Sequence, residues 1–386
     1  MRYIQQHIQK IIDSYQGETP LSIFLKNYFK KHPILGSRDR KMLSEMAYAW
    51  YRCSKAFDEK LSFEKKLEAC LFICETHVHQ ILQYLKPEWQ GKHDYFFPQK
   101  LAFLKKEKIA FHLENLFPFD IELSKGIDKE EWLLSMLLQP RLFIRYRRKS
   151  AILIQLLHSH KIPFEQLNDN CFALPNGTKL ETILAEKDYV VQDASSQKTG
   201  DYFLPKSKES WWDCCSGAGG KSLLLKDLQP NISLTVSDKR DTILFNLKKR
   251  FEVYHKQIPR LLHCDVANAA ALQKQFKQTS FDHIICDVPC SGSGTWARTP
   301  EQLYFFDPKK LEDFSTLQST IAQNVSPYLK AEGRMMYITC SVFKQENEAV
   351  IQKIQSAVYK NSTLINGISK QADSMFIATL QQTAIV

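Results

Sequence analysis

The chain has 386 residues, 44% hydrophobic and 24% charged, which is enough for two or three domains with their own cores and too ordinary for wholesale disorder. Its net charge of +10 is concentrated at one end: residues 1–150 carry 26 Lys and Arg against 18 Asp and Glu. That excess suits a polyanion such as nucleic acid, with a solvated basic surface as the plainer alternative.

No apolar run approaches the length of a bilayer crossing, and MRYIQQHIQKIIDSYQ lacks the apolar stretch of a secretory signal. Ten cysteines in such a chain are expected to be reduced thiols, in a cytoplasmic protein without membrane contact.

Residues 1–139 read as a helical domain. Thr19 is expected to cap a helix with Pro20 at its first position, and Leu21, Phe24, Leu25, Tyr28 and Phe29 make one apolar face. Ser37 is expected to cap a second helix, whose face is Leu43, Met46, Ala47 and Trp50; a third runs through Leu67, Cys70, Leu71 and Cys74. CETHVH, residues 74–79, has zinc-ligand residue types, but its cysteines fit an apolar helix face better and no metal is expected. Pro87–Pro118 is aromatic and basic without clear periodicity and stays unassigned, and one more helix is expected over Ile127–Leu138.

Residues 140–188 change character. RLFIRYR alternates like a strand, Ser150–His160 reads as a helix, and PFEQL and CFAL read as strands near an Asn176-Gly177 turn, a small βαββ unit. Its first strand carries Arg141, Arg145, Arg147, Arg148 and Lys149 with Phe143 and Tyr146 between them. Charges for phosphates and rings for bases suit single-stranded RNA, while a half-buried strand with a charged edge is the structural alternative.

Residues 189–386 alternate strand and helix, as a parallel α/β sheet requires. Strands are expected at Ser210–Ser216, Ile232–Asp238, Arg260–Val266, Phe281–Val288, Gly333–Cys340 and Met375–Leu380. Helices are expected at Lys221–Leu228, Asp241–Tyr254, Leu311–Tyr328 and Lys344–Ala357.

The chemistry-bearing residues fall at strand ends, where open α/β sheets bind ligands. The first strand ends in DCCSGAGGK, placing Asp213, Cys215, Ser216, Gly217, Ala218, Gly219, Gly220 and Lys221 in a turn that backbone or ligand can approach closely. It is neither a Walker loop, because Cys215 stands where the first glycine belongs, nor a dinucleotide fingerprint, because Ser222 stands at the third. A loop for adenosine without a pyrophosphate remains, as in S-adenosylmethionine. Asp238, 25 residues after Asp213 and close to Arg240, suits the ribose hydroxyls, and Asp265 on the next strand suits the adenine amine.

Cys290 follows Asp287-Val-Pro at the end of the fourth strand, and Cys340 ends the fifth, before the helix expected from Lys344. In a doubly wound order these strands are neighbours, so both thiols face one cleft, with the thiolate of Cys340 favoured by the helix amino terminus. Two thiols beside a methyl donor suit methylation at C5 of a pyrimidine: one adds at C6, the other assists the elimination, and Asp287 binds the ring.

VQDASSQ, DCCSGAGGK, DVPCSGSGT with RTPE, and YITCS resemble the motif series of the RNA cytosine-5 methyltransferases, the Sun/Fmu (RsmB-like) family. The similarity runs from about Pro140 to DSMFIATL near the end, and SRDRKMLSEMAYAWYR is similar, more loosely, to the NusB-like front domain of bacterial members. The resemblance implies a Rossmann-like class I methyltransferase domain behind a helical domain and a βαββ RNA-binding arm. It implies Cys340 as nucleophile, Cys290 in product release, Asp287 and Lys221 on the cytosine, and Asp238 and Asp265 on S-adenosylmethionine. It also implies an RNA partner, ribosomal before transfer RNA, for a chain expected to act as a monomer. This chain departs from the family in having Gly217-Ala218 where Ala-Pro is usual. A non-catalytic RNA-binding ribosome assembly factor and a DNA cytosine methyltransferase are the rival readings.

Overall fold

The computed structural model describes residues 2–74, 79–92, 94–277 and 279–382. The chain divides into two compact units that exchange short segments. One comprises 1–121, 128–139 and 295–308; the other comprises 122–127, 140–294 and 309–386.

The first unit is helical, with helices Arg2–Ser14, Leu21–Lys31, Ser37–Cys53, Phe63–Cys74, Gln80–Leu85, Phe97–Lys106 and Lys129–Met136. The spacing of apolar residues sets which face is inside: Leu21, Leu25 and Phe29 are buried on one helix, Leu43, Met46, Ala47 and Trp50 on the next. Two expected caps are corrected. Pro20 itself is the residue preceding the helix, and Thr19 makes no side-chain cap there. Ser37 lies inside its helix behind Gly36, whose N–H donates to Asp39 Oδ2 at 3.1 Å.

Residues 295–308 were expected in the carboxyl-terminal domain with the rest of 189–386, yet they belong to this helical unit. They bring Trp296 to 5.8 Å from Trp132 and within reach of Phe117, ring centroid to ring centroid. Glu301 Oε1, deep in the unit, accepts the Leu21 N–H at 3.1 Å, a carboxyl group at a helix amino terminus whose pKa burial raises. Aromatic packing of this kind leaves no period-based signal in a 14-residue insert.

The second unit holds two sheets. The smaller contains β1 (Leu142–Tyr146), β2 (Glu165–Gln166), β3 (Cys171–Leu174) and β4 (Tyr189–Val191) in the order β2-β3-β1-β4, all antiparallel. The helix Ser150–Ser159 closes over it, with Leu153 and Leu157 against Ile144, Tyr146, Phe172 and Leu174. The carboxyl-terminal domain was expected to begin at residue 189; instead Tyr189–Val191 is the fourth strand of the arm's sheet, paired with β1.

The larger sheet contains β5 (Ser210–Asp213), β6 (Ser233–Asp238), β7 (Arg260–His263), β8 (Phe281–Asp287), β9 (Leu329–Thr339), β10 (Val358–Ile365) and β11 (Met375–Gln381). Their order is β10-β11-β9-β8-β5-β6-β7. The five strands from β9 to β7 are parallel, and the other two are antiparallel. Successive side chains point to opposite faces, so the fully buried neighbours Trp211 and Trp212 join different core clusters, one on each side of the sheet.

β10 was not anticipated, since VYKNSTLI is an exposed edge strand without apolar alternation. The helix expected over Lys344–Ala357 is a 3₁₀ turn, Lys344–Glu346, and a short helix, Glu348–Lys353. Asn347 breaks it with φ −110° and ψ −97°, its amide bonded to Thr339 Oγ1 and the Ser341 carbonyl.

Candidate active site

The parallel order brings the ends of β6, β5, β8 and β9 side by side, and each delivers the group that the sequence placed there. After β5 the chain turns through 214–219 into the helix Gly220–Leu228. The Cys214 N–H continues the pairing with β8 by donating to the Ile285 carbonyl, and Ser216 N–H donates to Ser237 O. Gly219 has φ +79°, and a Cβ there would lie 2.7 Å from Leu247 Cγ, so only glycine fits.

Asp213 is buried and accepts Ser222 Oγ at 2.5 Å through Oδ2, while its Oδ1 has no hydrogen-bond partner among the described residues. Burial pushes its carboxyl up to about 7, with Asp287 and Asp238 adding like charge. An unmet buried acceptor beside an open loop fits a ligand that brings an N–H cation.

Asp238 accepts the Arg240 side chain at 2.9 and 3.0 Å and the Gly217 N–H at 3.2 Å. Burial works against its charge, but these donors prevail and hold the carboxyl below its usual range. Asp265 is exposed at the end of β7 and accepts the Ala267 N–H at 3.0 Å. Of the remaining loop residues, Cys215 is half-buried against the core beneath, and Ala218 is exposed.

Beyond β8 lies the second half of the site. Lys221 Nζ donates to Asp287 Oδ2 at 2.6 Å. Burial disfavours the ammonium, yet the Asp287 carboxylate outweighs it and Cys340 adds to the attraction, so the Lys221 pKa is raised. Cys290 and Cys340, from the ends of adjacent strands, have their Sγ atoms 3.3 Å apart. Contact with Cys340 and burial push the Cys290 thiol well up. Gly294 locks the two loops together: its N–H donates to the Cys340 carbonyl at 2.8 Å, and a Cβ there would stand 2.0 Å from Ser374 O.

The structure thus gathers Asp213, Lys221, Asp238, Asp287, Cys290 and Cys340 around neighbouring strand ends. The helix expected to face Cys340 is only the 3₁₀ turn described above, so thiolate stabilisation by a helix terminus is not part of this site.

The basic strand of the arm is arranged otherwise than expected for RNA contact. Arg145 is buried and donates to Asp227 Oδ2 at 2.6 Å and Gln192 at 3.1 Å; Arg147 reaches the same carboxylate at 2.8 and 3.0 Å. These two guanidinium groups anchor β1 to the helix Gly220–Leu228, and Phe143 and Tyr146 are core residues, not exposed stacking faces. Arg141 pairs with Glu165 and Arg148 with Asp188, while Arg148 and Lys149 are exposed. The sequence shows the charges on β1 but not Asp227, 80 residues further on, that claims two of them.

Two further groups went unread. Asp227 and the fully buried Glu346 fell within stretches expected as helices, Lys221–Leu228 and Lys344–Ala357, and were not singled out. The only signal of Glu346 is an acid six residues after Cys340. Residues 75–78 of CETHVH lie outside the described residues, among which no group of three or more His, Cys, Asp or Glu could hold a metal ion. Among the same residues no helix is long and apolar enough to cross a membrane.

Residues 202–381 match the family described as 16S rRNA methyltransferase RsmB/F. The chain is 30% identical to the ribosomal RNA small subunit methyltransferase B of Shewanella oneidensis over 207 residues, 52% of this chain and 46% of that protein. It therefore spans about half the length of the curated relatives it matches. Among solved structures, PH0851 aligns over 94% of this chain and 95% of its own with a TM-score of 0.70 and 19% identity. A methyltransferase homolog from Pyrococcus horikoshii aligns over 73% and 98% with a TM-score of 0.58, again at 19% identity. At such identities the likeness speaks for the fold, an α/β, Rossmann-like methyltransferase architecture with a helical region in front.

Proposed function

We propose that the chain, which belongs through residues 202–381 to the RsmB/F family of methyltransferases, moves a methyl group from S-adenosylmethionine to C5 of a cytosine in RNA, ribosomal RNA by preference. The observation that carries this reading is the approach of two thiols to 3.3 Å at adjacent strand ends, with the Lys221–Asp287 pair on the helix and strand beside them.

S-adenosylmethionine would supply an electrophilic methyl group, and Asp213, Asp238 and Asp265 are the residues that would hold it, with Arg240 fixing the Asp238 carboxylate. Asp213 Oδ1, buried and unmet, is the acceptor an ammonium requires. Cytosine C5 is a poor nucleophile. A Cys340 thiolate adding at C6 forms an S–C6 bond and moves the ring π electrons toward C5, which then takes up the methyl group. Lys221 and Asp287, already joined, bind the ring and meet the charge that develops near N3. Loss of the C5 proton and expulsion of the Cys340 sulfur restore the ring and the thiolate, with Cys290 assisting the elimination.

Ribosomal RNA is favoured because the matched family and the Shewanella relative both carry it in their names. The test is a Cys290→Ala chain incubated with ribosomal RNA and cofactor. A covalent protein–RNA adduct accumulates on denaturing gels, and none forms once Cys340→Ala is added. An equal adduct in the double variant overturns the assignment of the nucleophile. Methyl transfer to DNA and not RNA overturns the substrate class.

A further inference from the structure

Cys290 and Cys340 sit on separate loops, and the backbone bond from the Gly294 N–H to the Cys340 carbonyl is joined by a second span across the gap between them. That second span is a carboxylate. Glu346 Oε1 accepts the Ser291 N–H at 2.8 Å and Gln318 Nε2 at 2.9 Å, and its Oε2 accepts Ser291 Oγ and Ser341 Oγ, both at 2.5 Å. Ser291 follows Cys290 and Ser341 follows Cys340, so one side chain grips the residue next to each sulfur. The grip is itself held: Gln318 Nε2 also donates to the Pro289 carbonyl at 2.9 Å, Tyr337 OH donates to Glu346 O at 2.7 Å, and Ser293 Oγ meets Ser341 Oγ at 3.1 Å. Glu346 is fully buried, and two N–H and two hydroxyl donors fill its acceptor sites.

We propose that Glu346 is a positioning residue for the thiol pair: it fixes the two cysteine loops against each other and places a carboxylate beside Cys290. The groups facing the pair differ on its two sides. Cys290 is met by the Cys340 side chain and by Glu346, which with burial oppose a negative sulfur there and outweigh the backbone hydrogen bond from Cys340. Cys340 is met by the Lys221 ammonium, which is paired with Asp287. Cys290 therefore holds its proton, which suits a thiol that must stay un-ionised while its neighbour attacks. The inference rests on the proposed function only in taking these two cysteines as the reacting pair.

The test needs no RNA. Full-length chain is alkylated with iodoacetamide across pH 6–10, and the extent at each cysteine is read by peptide mass spectrometry. Glu346→Gln keeps the shape, and the Ser291 and Ser341 hydroxyls can turn to accept from the new amide, so the charge alone is lost. The expected result is an acid shift of the Cys290 profile, with its alkylation at pH 8 rising about tenfold, one unit of pKa. A Cys290 rate within twofold of the wild type overturns the electrostatic half of the proposal.

Ser341→Ala tests the geometric half and covers a Glu346→Gln chain that fails to fold. Diamide oxidises the two thiols to a disulfide and is reduced to the hydrazine. Cys290–Cys340 disulfide formation is expected to slow about fivefold once one tie is cut, and an unchanged rate overturns the positioning role. Because both readouts are made without substrate, they can hold where methyl transfer to RNA fails, and the reverse.

Discussion

Lys221 Nζ and Asp287 Oδ2 lie 2.6 Å apart, one from the first turn after the glycine loop and the other from the last residue of β8. Their side chains are 11% and 30% exposed, so the pair sits where solvent screens it only in part. Lys221→Met strands the Asp287 charge and removes an ammonium that attracts Cys340. Methyl transfer should fall by a hundredfold or more, and stability by about 2 kcal/mol, below the full penalty of a wholly buried broken pair. Single-turnover methylation and a urea melt measure the two effects separately.

Asp213 gives a pH signature of its own. Its folded pKa of about 7 stands above the ordinary 3.8, so the native state binds the extra proton. Stability from this group is fully present below pH 3.8 and is lost as pH rises toward 7. Asp213→Asn should flatten the melting temperature of the cofactor-free chain across that window. Scanning calorimetry at pH 5, 6, 7 and 8 reads the difference, and parallel curves for the two chains would refute it.

Asp227 has the opposite sign. Burial alone would raise its carboxyl, but Arg147, Arg145 and Lys256 outweigh that and hold it at about 2. Its contribution is present above pH 3.8 and disappears as pH falls toward 2. Asp227→Asn leaves two guanidinium groups buried without their counter-charge, at a cost of about 3 kcal/mol at pH 7. The gap between variant and wild type should close near pH 2, which acid-titrated circular dichroism detects.

On the same arm, Arg148 and Lys149 are the exposed cations of the basic run that begins at Arg141. Replacing both with Ala should reduce the slope of log affinity against log salt for RNA by about 2, since each phosphate contact releases roughly one counterion. Filter binding at several salt concentrations tests this, and an unchanged slope would locate the RNA track elsewhere.

Gly294→Ala places a methyl group 2.0 Å from Ser374 O and 3.0 Å from the Cys340 carbonyl. The neighbours are backbone and cannot rotate away, so the loops must part. A loss of about 3 kcal/mol and of nearly all methyl transfer is expected. The check is a thermal melt alongside the alkylation rate at Cys290, which should rise as the pair opens.

Much of this arrangement was readable from residue order because it depends on local pattern. The parallel strands are apolar runs that end in an acid or a thiol, and the adjacency of β8 and β9 follows from the common strand order. What escaped reading depends on partners far away in the chain. Arg145 looks like an RNA ligand until Asp227 is found against it, and Phe143 looks like a stacking face until β1 turns it inward. Glu346 fell within Lys344–Ala357, expected as one helix, with no local pattern to mark it. The serines that follow the two cysteines reveal what it holds.

The trade of short segments between the two units has a practical meaning for anyone dissecting this chain. A fragment begun at residue 140 would keep Trp296, Leu303 and Phe306 while discarding Phe117 and Trp132, against which Trp296 and Phe306 stack. The same cut would discard Ser124, whose hydroxyl Asn347 and Glu348 share. Such a truncated product should be sticky and poorly soluble, and a shortened version of this protein has to be drawn around both grafts rather than at the apparent seam.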